Sequence, residues 1–182
     1  MTNSGVVFYA FFGLGWLLAG LGHFGGAVTG AAGTLGLAVA VALVLTARRQ
    51  IARRADPADR DLSPEQRERF RRVNIAQWLM IALILGGCAI AGDFDLAMPL
   101  VAVAVGVHFL PLADVFGDRR LVVPGAALFV SGLVGVLAWV GHAATGTITT
   151  EVGLGCAVTL WATAVWSLLS VSRPAPAARP RR

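Results

Sequence analysis

The chain has 182 residues, 57% of them hydrophobic and 14% charged, with a mean hydropathy of +0.73. A soluble domain of this size needs more polar surface, so composition excludes a water-facing globule and points to bilayer-spanning helices. The net charge of +5 would suit a nucleic acid, but no aromatic-interleaved soluble domain is present to bind one, so no nucleic-acid partner is expected.

In chain order, apolar segments run near Val6–Phe24, Ala27–Ala47, Val73–Ala91, Leu96–Phe116, Leu121–Val140 and Val152–Val171. Each is about 20 residues, which at about 1.5 Å per residue matches roughly 30 Å of hydrocarbon. Only Gly25-Gly26 parts the first two. One helix through both would be about 60 Å long, twice the core, so the chain must turn there into a helical hairpin. The expected fold is all-α: a polytopic transmembrane bundle of six helices over residues 1–171, with a basic tail over 172–182. The tail is rich in Pro, Ala and Arg and is expected to be disordered. Met1-Thr2-Asn3-Ser4 lacks a basic n-region, so no secretory signal is expected.

Orientation follows from arginine, since all fifteen basic residues are arginines. Arg48, Arg49, Arg53, Arg54, Arg60, Arg67, Arg69, Arg71 and Arg72 lie in the loop 48–72. Arg119 and Arg120 lie in the fourth loop, and Arg173, Arg179, Arg181 and Arg182 in the tail. Six spans put all of these on one side, which the positive-inside rule makes cytoplasmic, with both termini. The expected location is a bacterial inner membrane, with the loop and tail against anionic lipid headgroups at about 1 kcal/mol per arginine.

Within that loop, Ala55–Asp59 reads as a turn. Ser63-Pro64-Glu65-Gln66 reads as a helix start: a Ser cap, Pro at the first helical position and Gln three residues after the cap. Glu65–Arg69 and Glu68–Arg72 are spaced for i,i+4 pairs. A helix is expected from Pro64 into the third span. Gly26-x3-Gly30, Gly87-x3-Ala91, Ser131-x3-Gly135 and Gly153-x3-Ala157 have the small-residue spacing that lets helices approach closely. The spacing does not say whether such contacts form within one chain or in a homo-oligomer. No echo between the halves suggests a transporter-like repeat. Cys88 and Cys156 lie at similar depth and read as packing residues that could also meet.

Counted from Leu96, His108 is about 17 Å deep by helical rise. That is near the bilayer midplane, where an ionisable side chain is a candidate functional residue. Pro111 has no N–H for the carbonyl of Val107, which then needs another partner. Trp16, Ser131 and Thr163 fall within about a turn of the midplane. The expected ligand-binding cluster is therefore His108, Pro111, Ser131, Thr163 and Trp16. Its alternatives are interhelical glue, worth about 0.6 kcal/mol per polar bond, or a ligand or proton site at a proline kink. Asp114 lies nearer the inner surface, within reach of Arg119 or Arg120.

Asn74, Gln77 and Trp78 open the third span at the inner interface, with Asn74 and Gln77 on one face. They read as anchors or as a polar pocket. On the opposite rim, His23, Asp93, Asp95, His142 and Glu151 offer donors a divalent cation could use. Asp95 before the fourth helix and Glu151 at the start of the sixth also suit helix N-termini, so no metal is expected. Phosphate-loop, nucleophile-elbow and His-Glu-x2-His motifs are missing; the chain is expected to carry no cofactor, and a membrane enzyme is the least favoured of its functions.

The stretch RRVNIAQW, followed after one apolar span by GVHFLPLAD, resembles a group of small bacterial multispanning membrane proteins. The matching positions are Asn74, Gln77 and Trp78, then Gly106, His108, Phe109, Pro111, Leu112 and Ala113, within residues 70–140. The resemblance implies membership and no mechanism. Besides the least favoured reading, an enzyme, two functions remain in view. One is binding or permeation of a small ligand or lipid at His108 and Pro111. The other is a structural or regulatory role in which the Arg-rich loop docks lipid or a partner protein.

Overall fold

The computed structural model describes residues 3–52 and 63–171. The turn expected at Ala55–Asp59, Arg53, Arg54, Arg60 and the tail 172–182 lie outside these residues. The helices are α1 (Asn3–Leu21), α2 (Gly26–Ala52), α3 (Pro64–Ala91), α4 (Ala97–Phe116), α5 (Val122–Val140) and α6 (Thr145–Val171), with a 3-10 turn, Arg119–Leu121, before α5. The described residues form no strand. Five helices, α2 to α6, are long and apolar enough to cross a membrane, and α1 carries a shorter apolar stretch, Gly5–Leu21.

Local chemistry sets the ends. The Thr29 hydroxyl reaches Leu21 O at 2.9 Å and Phe24 O at 3.0 Å, taking up carbonyls that the end of α1 leaves open. At the start of α3, Gln66 N donates to Ser63 Oγ at 3.2 Å, and Ser63 N donates to Gln66 Oε1 at 3.0 Å. This closes a reciprocal capping box. Helices α3 and α4 end on left-handed glycines, Gly92 (φ 70°) and Gly117 (φ 61°), a conformation that a side chain would strain. Pro111 lies inside α4, which runs on to Phe116.

Helix neighbours follow the order α2, α1, α6, α5, α4, α3, and α6 also touches α2 and α4. The closest pairs, α1 with α6 and α4 with α5, meet at glycines. A Cβ on Gly153 would lie 2.5 Å from Gly20 Cα, and one on Gly106 would lie 2.5 Å from Phe129 N. Backbone meets backbone there, as small residues permit in lipid. Gly26, Gly30 and Gly87 face open space, so among the described residues no helix approaches closely at them. The core closes over Phe109, Leu128, Val152 and Leu160, and the Tyr9 and Phe109 rings stack across it at 6.2 Å.

The described arginines gather at one end. Gln66 Nε2 donates to Val115 O at 3.2 Å, and Gln50 Nε2 to Leu168 O at 3.4 Å. These bonds bring together the end of α2, the start of α3, the end of α4 and the end of α6. Arg48, Arg49, Arg67, Arg69, Arg71, Arg72, Arg119 and Arg120 all belong to that end. Asp93, Asp95 and Glu151 belong to the other.

Candidate functional site

His108 is half-buried on α4. Ala97, Ala104 and Val115 are buried outside the central cluster, and they mark the stripe that α3 covers. His108 comes four residues after Ala104 and seven before Val115, so helical periodicity puts it at the edge of that stripe. The residues expected around it are dispersed. Pro111 is exposed. Thr163 donates its hydroxyl to Thr159 O at 2.7 Å, and Ser131 to Ala127 O at 3.0 Å, each within its own helix. Ser131 also lies against Gly155 of α6, and the Trp16 carbonyl lies against Gly153 of α6. The structure does not bring Ser131, Thr163 or Trp16 to His108 through any bond.

The polar residues of α3 are better placed. Among the described residues, helix α3 packs against α4 alone. From Val73 onward, its residues that are not exposed are Val73, Asn74, Gln77, Ile81, Ile84 and Cys88. Their three- and four-residue spacing defines the α4-facing side. Asn74 and Gln77 are on it, whereas Trp78 is 61% exposed and points away. The Gln66–Val115 bond fixes the register of the two antiparallel helices, and the Phe70 and Phe116 rings meet nearby at 5.7 Å. Asn74 is eight residues past Gln66 and His108 is seven before Val115, so both sit about 10–12 Å from that bond. Gln77 is within a turn of the same level. His108 is eleven residues from the start of α4 and eight from its end. It lies six residues from Asp114, as Asn74 does from Glu68, or about 9 Å inward of the charged rim.

None of Asn74, Gln77 and His108 makes a side-chain hydrogen bond among the described residues. Among the described residues no fully enclosed side-chain nitrogen or oxygen lacks a partner, so these three groups open to the medium along the α3–α4 seam. A polar group left unpaired in hydrocarbon costs several kcal/mol. Farther along the seam, Leu83, Ile84, Cys88, Leu96 and Leu100 line a largely apolar cleft of about 450 Å³, which Asp93 and Trp139 also line. Leu100 is eight residues from His108, about 12 Å along the axis. Sequence reasoning treated Asn74 and Gln77 separately from His108, because without the register of α3 on α4 nothing relates their heights.

The rims are built differently. At the far end Trp139 Nε1 donates to Asp93 Oδ2 at 3.0 Å, and the Thr145 hydroxyl donates to Asp95 Oδ2 at 2.8 Å. His23 lies 3.4 Å from the Thr149 hydroxyl. His142 and Glu151 are exposed. Glu151 is inside α6, which starts at Thr145, so it is not an N-terminal acid. Among the described residues no three His, Cys, Asp or Glu side chains converge as metal ligands. Cys88 and Cys156 are free and buried, on helices that do not touch.

At the arginine rim, ahead of the apolar part of α3, Glu68 pairs with Arg72 at 2.9 Å and Arg71 at 2.8 Å. Bonds from Arg72 first, then Arg71, hold its carboxyl below the usual range. The Glu65–Arg69 pair does not form, and Asp114 pairs with neither Arg119 nor Arg120, among the described residues. No family model, curated protein or solved structure matches the chain.

Proposed function

We propose that this protein spans a bacterial inner membrane six times, with both termini and the arginine end in the cytoplasm, and binds a neutral amphiphile along the α3–α4 seam. The observation that carries the reading is the level grouping of Asn74, Gln77 and His108, half-buried and without side-chain hydrogen bonds among the described residues, about 12 Å along the seam from a largely apolar cleft. Two amides and an imidazole supply donors and acceptors with no fixed charge. They suit a carbonyl or hydroxyl head better than an anion. The head would sit about 9 Å below the charged rim and the tail would run about 12 Å along the seam to reach the cleft. Pro111, exposed on the adjoining turn, adds a freed carbonyl at Val107 on the lipid side.

The test is extraction of the purified protein with organic solvent, followed by mass spectrometry. The wild type should release a neutral amphiphile in near-equal amount to protein. His108→Leu with Asn74→Leu should lose at least about fivefold of it, the equivalent of one hydrogen bond of about 1 kcal/mol. The unfolding temperature of the empty protein should hold or rise, since unpaired polar groups have been removed. Release of equal amounts from both proteins would overturn the proposal.

The exposed Arg67, Arg69, Arg71 and Arg72 support a second reading, in which the first turns of α3 dock anionic lipid or a partner protein. Replacing those four with Gln should abolish capture by anionic vesicles or by the partner and leave the amphiphile in place.

A further inference from the structure

A cavity of about 110 Å³ opens at the arginine end, between the α4–α5 turn and the last turns of α6. Asp118, Arg120, Thr163, Trp166, Ser167 and Ser170 line it. Its two charges are not used on each other. One oxygen of Asp118 accepts the backbone N–H of Arg120 at 3.0 Å. Among the described residues neither the Asp118 carboxylate nor the Arg120 guanidinium forms an ion pair. The α6 wall offers acceptors. Thr163 spends its hydroxyl proton on Thr159 O at 2.7 Å, so an oxygen lone pair is what it has left to give. Trp166 is 42% exposed and Leu169 is 64% exposed on the neighbouring surface, an apolar flank that acyl chains can cover.

A negative group and an acceptor inside, with a cation at the mouth, complement a ligand that bears a primary ammonium and a phosphate. An anion alone would meet Asp118, and a quaternary ammonium has no N–H to donate to Thr163. We propose that this cavity seats the head of a phosphoethanolamine-type phospholipid, its ammonium on Asp118 and Thr163 and its phosphate on Arg120. The site is separate from the α3–α4 seam and does not rest on it.

The test uses the full chain in nanodiscs of phosphatidylcholine containing equal minor fractions of phosphatidylethanolamine and phosphatidylglycerol, with native mass spectrometry of the lipids that stay bound. The wild type should retain phosphatidylethanolamine over both others by at least about tenfold, the low end for one hydrogen bond to a charged group. Asp118→Asn keeps the oxygen that caps the turn and should erase the preference. Thr163→Val, of similar volume, should weaken it. Arg120→Gln should lower retention of all three lipids. Equal retention of the lipids by the wild type, or a preference unchanged in Asp118→Asn, would overturn the proposal. Displacement of the lipid by soluble O-phosphoethanolamine at equal concentration would overturn the lipid as occupant in favour of the free compound.

Discussion

A single added carbon separates the glycines that hold helices together from those that do not. At Gly106 and Gly153 the space for a Cβ is already filled by the backbone of the facing helix, with no flexible side chain to give way. Gly106→Val and Gly153→Val should each cost about 1–3 kcal/mol by overpacking, read as a lower unfolding temperature in detergent. Gly30→Ala, with nothing within 4 Å, should leave it unchanged or slightly higher. The four-residue spacing of small side chains is visible in the sequence at both kinds of position. What it leaves out is azimuth: Gly26 and Gly30 share the spacing of Gly153 and Ala157 but face outward. The same gap explains the candidate site. His108 was legible as an unusual residue in an oily helix, whereas its neighbours were assigned by depth alone. Depth alone puts Thr163, Ser131 and Trp16 on a common level without saying which way each one faces.

Among the elements, α3 is the least supported. It leans on one neighbour, and only six of its residues from Val73 onward are withdrawn from the surface. Its start was the most legible boundary in the chain, because a capping box is local chemistry written in four consecutive residues. Ser63→Ala should cost about 0.5–2 kcal/mol, confined to the first turns of α3 and read as faster amide exchange there. Gln66→Ala keeps one half of the cap but removes the bond to Val115. Exchange should then quicken along α3 as far as Gln77, while α1 and α6 are unaffected. Loss of protection spread evenly over all helices would contradict a one-sided attachment. The early start of α6 was not legible, because Thr145 to Glu151 is polar enough to read as loop. It is helical because its inner face is committed: Ile148 is fully buried and Thr150 reaches Gly20 O at 3.3 Å.

For the molecule as a whole, the sequence carried the helical class and the gathering of arginines, both consequences of composition and spacing. The pairing of helices depended on contacts between residues far apart in the chain, which no local pattern encodes. The proposed topology makes a direct prediction at this scale. In intact cells, Ala144→Cys should react with a membrane-impermeant maleimide, and Arg69→Cys should react only after permeabilisation. Both positions are exposed, and the native Cys88 and Cys156 are buried. Labelling in the reverse order would invert the proposed orientation.

The pairing of α1 with α6 has a temporal side. Trp161 lies over Gly13 and donates to Ala10 O at 3.2 Å, so the first helix is completed by the last one synthesised. Until the ribosome has delivered some 160 residues, α1 lacks α6 and its glycine groove stays empty. A nascent chain released after Val140 should therefore be recognised as unfinished and degraded quickly in a pulse–chase experiment, even though its other five helices have been made.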